Sequence, residues 1–254
     1  MDIDLNADMG ESFGMYPMGN DDAFMKHISS ANVACGFHAG DSSVMRKTVG
    51  YAKRDGVQVG AHPGLPDLQG FGRREMNLTV DEVYDIVVYQ VGALKAFAEA
   101  AGLKLHHVKP HGSLYGMAHR REEIAQALCR AVRDIDPALY LYIMKKGLIA
   151  EVAGGLGLRC VYELYADLGY DAQGNLVITR HHEAHTPADV AARVVRMVKE
   201  SRVRAVDGTD IAIAGNSVCV HSDTPGALEI VQAVRRGLEG AGCRIASPPL
   251  MNYA

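Results

Sequence analysis

The chain has 254 residues, 48% of them hydrophobic and 22% charged, with a formal net charge of −4 at pH 7. That is ample material for a sizeable core, and the acidic balance argues against nucleic acid as a partner, because basic clusters such as Arg73-Arg74 are too short to offset it. No apolar run approaches the roughly 18 residues that would span a bilayer, and Cys35, Cys129, Cys160, Cys219 and Cys243 are scattered without any C-x-x-C pairing, which suits a reducing cytoplasm and opposes both a disulfide framework and a thiolate zinc site.

The N-terminal segment MDIDLNADMGES has neither a basic n-region nor an apolar h-region, so no signal peptide is expected. Ile3 to Asn6 reads as a first strand, followed by the loop Gly10 to Asn20 and a helix opened by Asp21 and Asp22. Asn32 to Cys35 is a second apolar run, with Gly36-Phe37-His38-Ala39-Gly40 as its loop. Asp41 or Ser42 then caps a helix running to about Arg54, and Gly56 ends it. Val57 to Ala61 is a third strand, and His62-Pro63-Gly64 starts a long loop reaching Arg74. The longest helix opens at Thr79, where Thr79 and Glu82 fit a capping box, and Val83, Ile86, Val87, Val91, Leu94 and Phe97 recur at helical spacing.

Leu105 to Val108 is a fourth strand, and the chain beyond Leu114 heads towards a helix placed at about Arg121 to Asp134. Leu139 to Ile143 is a fifth strand, Lys146 to Gly154 a helix, and Arg159 to Tyr162 a sixth strand. Asp167 to Thr179 reads as a loop or hairpin around the turn residues Asp171 to Asn175. Thr186-Pro187 begins a helix to about Ser201, Ser217 to Val220 is a seventh strand, and Pro225 to Gly240 holds the last helix. Strand and helix thus alternate about seven times without a linker, which implies a parallel sheet with helices outside it. Seven units over 1–254 favour a single closed or nearly closed (β/α) barrel domain. Neither G-x-G-x-x-G nor G-x-x-x-x-G-K-[ST] follows any strand, so a dinucleotide fingerprint and a P-loop are both missing.

Polar and titratable residues gather at strand ends. Asp8 follows the first strand, His38 the second, His62 the third, Lys109 and His111 the fourth, Asp167 the sixth, and His221 with Asp223 the seventh. Parallel strands present their carboxyl ends on one face, so these groups should converge there, as they do in an α/β enzyme. Asp8, His62 and His111 could hold a divalent metal with an open position, or run metal-free acid–base chemistry. Lys109 could polarise a carbonyl or meet a phosphate, or be a salt-bridged lysine at the rim. Arg73 and Arg74, in a glycine-flanked loop, could grip a carboxylate or phosphate, or be a solvated surface pair. The tract His181-His182-Glu183-Ala184-His185 is read as solvated histidines before a helix.

Several longer segments carry a family resemblance. They are Asp4 to Glu11, Ser30 to Asp41, Gly60 to Gly64, Gly70 to Arg74, His107 to Tyr115, Val218 to His221 and Asp223 to Ala227. Together, and in this order from residue 1 to about 240, they resemble the family of 5-oxoprolinase A subunits, also known as lactam-utilisation proteins. The resemblance implies a seven-stranded α/β barrel of the glycoside hydrolase/deacetylase type. It also implies ATP-dependent opening of the 5-oxoproline lactam to L-glutamate, with Mg2+ accompanying the ATP and separate B and C subunits as partners. Catalysis would fall to Asp8, His62, Lys109 and His111, and substrate contacts to Asn6, His38, Arg73, Arg74, Tyr115, Asp167 and His221. One departure is Leu168, which stands where an arginine is expected after Ala166-Asp167; Arg180 is a candidate replacement. Two other readings stay open at this point: a stand-alone metal-dependent deacetylase or amidase, and a non-catalytic component that binds substrate or scaffolds partners. Whether the chain forms a homo-oligomer is also open.

Overall fold

A computed structural model describes residues 1–177 and 186–249. In chain order the elements are β1 (Asp2–Met9), α1 (Asp21–Met25), β2 (Ser30–Ala34), α2 (Ser42–Asp55), β3 (Gln58–His62), α3 (Val80–Ala100) and β4 (Leu105–Val108). There follow α4 (Gly112–Arg120), α5 (Glu122–Ile135), β5 (Tyr140–Ile143), α6 (Leu148–Gly155), β6 (Arg159–Tyr165), β7 (Gly169–Tyr170) and β8 (Leu176–Val177). The remaining elements are α7 (Pro187–Glu200), β9 (Arg202–Arg204), β10 (Asp210–Ala212), β11 (Ser217–Cys219), α8 (Ala227–Gly240) and β12 (Arg244–Ile245).

Seven strands pair in parallel in the order β1, β2, β3, β4, β5, β6, β11, and β11 pairs back onto β1 to close the barrel. The expected seven-stranded barrel is therefore the observed one. β12 adds in parallel to the start of β1, at Asp2 and Ile3. Capping follows the sequence signals: Asp41 accepts from the Ser43 and Val44 N–H groups, Thr79 and Glu82 complete a capping box, and Gly56 closes α2 at a φ of 71°.

The strands bury both faces but use them differently. Residues such as Ile3, Leu5, Ala7 and Met9 of β1 belong to the apolar layer between barrel and helices. The alternate residues Asp4, Asn6 and Asp8 are equally buried but hydrogen-bond to polar side chains of other strands across the lumen. A period of two along each strand sorts the side chains into these two layers.

Two stretches differ from the sequence reading. The helix expected at about Arg121 to Asp134 is preceded by a separate α4, because Gly112 turns the chain into a helix whose face Leu114, Tyr115, Met117 and Ala118 is buried. Arg121, extended at φ −125° and ψ 116°, ends α4 and starts α5. The segment Arg202–Arg204 with Asp210–Ala212 forms an antiparallel hairpin that the alternation of apolar residues did not reveal. Its signal was Asp207-Gly208, with Gly208 at a φ of 90°. The His181 to His185 tract and Arg180 lie outside the described residues.

Candidate functional site

The carboxyl ends of the barrel strands build a cleft lined by, among others, Asp8, His62, Arg73, Lys109, His111, Tyr115, Tyr165, Leu168 and His221. Asp8 sits within the last residues of β1 rather than after it, and His62 is the final residue of β3. Lys109 follows β4, and His111 is the residue on which α4 begins. The residues expected to converge from different strands do meet here.

Lys109 is the centre of charge. Its Nζ donates to Asp8 Oδ1 at 2.8 Å, lies 3.3 Å from Glu163 Oε1, and contacts Cys219 Sγ at 3.0 Å. Burial alone would push its pKa down, but Asp8, Cys219 and Glu163 hold it well above the ordinary lysine value. Burial likewise pushes the Asp8 carboxyl up, and His62, Lys109 and His221 overcome this to hold it well below the usual carboxylate range. The result is an ionised carboxylate, locked in place, at the floor of the cleft.

His62 and His111 form a buried pair beside it. His62 Nδ1 is 2.7 Å from the Lys109 carbonyl and His111 Nε2 is 2.8 Å from the Phe71 carbonyl. Carbonyls only accept, so both outer nitrogens carry N–H. That leaves His62 Nε2 and His111 Nδ1 facing each other at 3.0 Å, with Asp8 Oδ2 3.4 Å from the former. Two lone pairs meeting in this way call for a cation between them, either a proton or a metal ion. His38 stacks flat on His111 with ring centroids 3.7 Å apart, and neither of its ring nitrogens has a hydrogen-bond partner among the described residues. Glu11 Oε1 lies 3.7 Å from His38 Nε2. Burial, reinforced by Asp8 and Asp223, pushes the Glu11 carboxyl well up, while burial and the neighbouring imidazoles push His38 and His111 well down. One ligand atom from each of Glu11, His38, His62 and His111 can be chosen so that all lie within 4.8 Å of one another. An orphaned imidazole, carbonyl-fixed tautomers and an adjacent carboxyl suit a divalent ion.

On the opposite side, His221 Nδ1 is 2.9 Å from Asp167 Oδ1, and its Nε2 points at Asp8 Oδ2, 3.8 Å away. Thr224 Oγ1 and the His221 backbone N–H both donate to Asp167 Oδ2. Burial would push His221 down, but Asp167 more than reverses this and its pKa is raised. Arg73 reaches the mouth, 2.8 Å from Asp223 Oδ2 and over the Phe71 ring.

The other expected site residues are placed as follows. Asn6 lies below Asp8 inside the barrel, donating to Glu163 and Ser217. Asp167 stands behind His221, His38 behind His111, and Tyr115 lines the cleft while its hydroxyl accepts from the Met144 N–H. Arg74 turns away and pairs with Asp67 outside the cleft. Leu168 lines the cleft, and its carbonyl and that of Ala166 accept from Arg193 of α7. Sequence reasoning missed Glu11, Glu163, Tyr165 and Asn32, and it read Cys219 only as a core residue. The signal for three of these was the period of two: Asn32, Glu163 and Tyr165 share a lumen-facing phase with recognised polar positions on their strands or neighbours.

The LamB/YcsF family model matches residues 3–252. The chain belongs to the LamB/YcsF family. It is 50% identical over 250 residues to 5-oxoprolinase A-subunit 2 of Pseudomonas syringae pv. tomato, covering 98% of this chain and 100% of that one. It is 51% identical over 245 residues to the 5-oxoprolinase A-subunit of Tolumonas auensis, covering 96% and 98%. A solved lactam utilization protein from Thermus thermophilus superposes with a TM-score of 0.91 at 46% identity, covering 97% and 99% of the two chains. Among the described residues of this LamB/YcsF chain, no helix is long and apolar enough to cross a membrane.

Proposed function

We propose that this chain is the A component of an ATP-dependent 5-oxoprolinase, opening the lactam of 5-oxoproline to L-glutamate together with B and C subunits. The observation that carries the reading is the match at about half identity along the full length of chains named as the A-subunit of 5-oxoprolinase. The site supports it, because opening an unstrained lactam requires a base for water, charge to meet the oxyanion, and a proton for the departing nitrogen.

Asp8 is the base in this reading: it is ionised, buried, and held by Lys109 so that one oxygen still faces the cleft. His221 is the acid. Asp167 stabilises its protonated form, which raises its pKa, and fixes the ring so that Nε2 faces Asp8 and the cleft. Lys109 serves by holding Asp8, since its ammonium is already occupied by carboxylates, and Arg73, ion-paired with Asp223 at the mouth, would exchange that partner for the substrate carboxylate or a phosphoryl group. ATP, with Mg2+, supplies the activation of the amide; with no P-loop in the sequence, we assign that step to the assembled enzyme and route none of it through this chain. A divalent ion held by His62 and His111 with Glu11, His38 or Asp8 would polarise the lactam carbonyl as a Lewis acid.

That donor set also favours a second reading: metal-dependent amide hydrolysis without ATP. Co-expressing the chain with its partner subunits, and then measuring glutamate and ADP from 5-oxoproline, separates the two. Glutamate formed only with ATP and all components supports the first. Amide hydrolysis by the lone chain that a chelator abolishes supports the second. Assembly without any effect of substituting Asp8 would instead mark a non-catalytic component.

A further inference from the structure

Beneath the cleft, a line of hydrogen bonds runs down the barrel axis to its opposite end. Asp8 Oδ1 accepts from Asn32 Nδ2 at 2.8 Å, and Asn32 Oδ1 lies 2.7 Å from His107 Nε2. His107 Nδ1 is 2.9 Å from His106 Nδ1, and His106 Nε2 is 2.7 Å from the Pro248 carbonyl. His106 and His107 are both fully buried. Gly60, opposite His107 across the β3–β4 pair, leaves room for the ring: a Cβ there would overlap the imidazole.

Counting donors and acceptors fixes the direction of each bond. Asn32 Nδ2 also donates to Asn6 Oδ1, whose own Nδ2 donates to Glu163 and Ser217. The orientation of both amides is therefore set by the Glu163 carboxylate, and Asn32 presents its oxygen to His107. Pro248 likewise presents an oxygen. Both outer nitrogens of the histidine pair must then be N–H donors, and the inner Nδ1···Nδ1 contact needs a third proton. Two neutral imidazoles carry only two. With two, either a buried acceptor goes unpaired or two lone pairs face each other at 2.9 Å, and buried networks of this kind are stable only when every member is satisfied.

We infer that His106 and His107 together hold one proton more than two neutral rings, shared along the Nδ1···Nδ1 bond, and that His107 thereby acts through Asn32 as a positioning residue for Asp8. The surroundings fit a cation. The lumen holds the carboxylates of Asp4, Asp8 and Glu163, of which Asp8 and Glu163 pair with the ammonium of Lys109 and Asp4 is bonded to serine hydroxyls. Tyr142 stacks on His107 with centroids 4.1 Å apart, and Tyr140 lies against His106. Opposing it, burial pushes each ring taken singly below the ordinary histidine value; Arg159 adds to this at His106, and Lys109 and His62 add to it at His107. Asp4 and the Pro248 carbonyl push His106 back up, and Asp8 does so for His107. The acceptors on both sides decide in favour of the shared proton.

The role given to Asp8 rests on the proposed hydrolase reading, but the proton itself does not. Long-range 1H–15N correlation on the full chain labelled with 15N-histidine, assigned through His106→Gln and His107→Gln, counts protonated ring nitrogens directly. Three of the four in this pair should be protonated at neutral pH, with the inner proton far downfield and slow to exchange. Two of four would overturn the inference. In the assembled enzyme, His107→Gln should lower kcat about 10- to 100-fold, as loss of a supporting hydrogen-bond partner typically does, with KM little changed. An unaltered kcat would overturn the positioning role, whereas absent turnover in the unmodified enzyme would sink only the hydrolase reading and leave the proton count standing.

Discussion

The barrel wall has two faces that are equally buried and physically opposite. Outside it, Leu5, Ala7 and Met9 of β1 pack with Val83, Val87, Val91 and Leu94 of α3 and similar residues into a continuous apolar layer. Inside it, Asp4, Asn6, Asp8, Asn32, His107, Lys109 and Glu163 are joined by hydrogen bonds and ion pairs. The outer layer stabilises in proportion to the area removed from water and is tolerant of shape. The inner one is fixed by direction and count, because a buried polar group that loses its partner keeps the full cost of its desolvation. Both faces carry stability, but the chemistry of this molecule is read from the second.

Substitutions should separate the two. Lys109→Met carries the largest effect, since it strands the buried carboxylates of Asp8 and Glu163; loss of about 3–5 kcal/mol is expected, measured by urea unfolding, together with loss of lactam opening. Leu94→Ala, a cavity in the outer layer, should cost about 2–5 kcal/mol in the same unfolding measurement. Its turnover per folded molecule should stay unchanged, and a kcat that fell in step with stability would erase the distinction between the faces.

Asp167→Asn sharpens the inner face through pH. His221 has a raised folded pKa, so its ion pair contributes stability fully present below the unfolded value of about 6.5 and lost as pH rises through the folded value. In the proposed role of proton donor it would also give kcat/KM an alkaline limb, and Asp167→Asn should move that limb to lower pH. A limb that did not move would remove His221 from the role of acid. The smallest effect is expected at Arg74→Ala, because Arg74 is exposed and pairs with Asp67 away from the cleft; turnover and unfolding midpoint should both be close to those of the unaltered chain.

Much of this was legible in the sequence. Alternating strands and helices favoured a closed or nearly closed barrel, the family resemblance implied seven strands, and the rule that parallel strands share one carboxyl end brought Asp8, His62, Lys109, His111 and His221 together. What escaped was whatever depends on register across the lumen. Asn32 meets Asp8 and His107 only because β1, β2, β3 and β4 pair in one particular stagger. Glu163 reaches Lys109 from β6, two strands round the barrel from β4. The separation of Arg73 from Arg74 was not legible either, because adjacent residues in a loop diverge according to which carboxylate, Asp223 or Asp67, each one meets.

The most direct test of the central claim uses Asp8→Asn in the co-expressed enzyme, with assembly verified by size-exclusion chromatography and glutamate and ADP measured from 5-oxoproline. ATP-dependent glutamate is expected from the unaltered complex, and a loss of about 10²- to 10⁴-fold in the variant, as for removal of a general base. Equal turnover by the two complexes would contradict the assignment of Asp8 and move the chemistry off this chain.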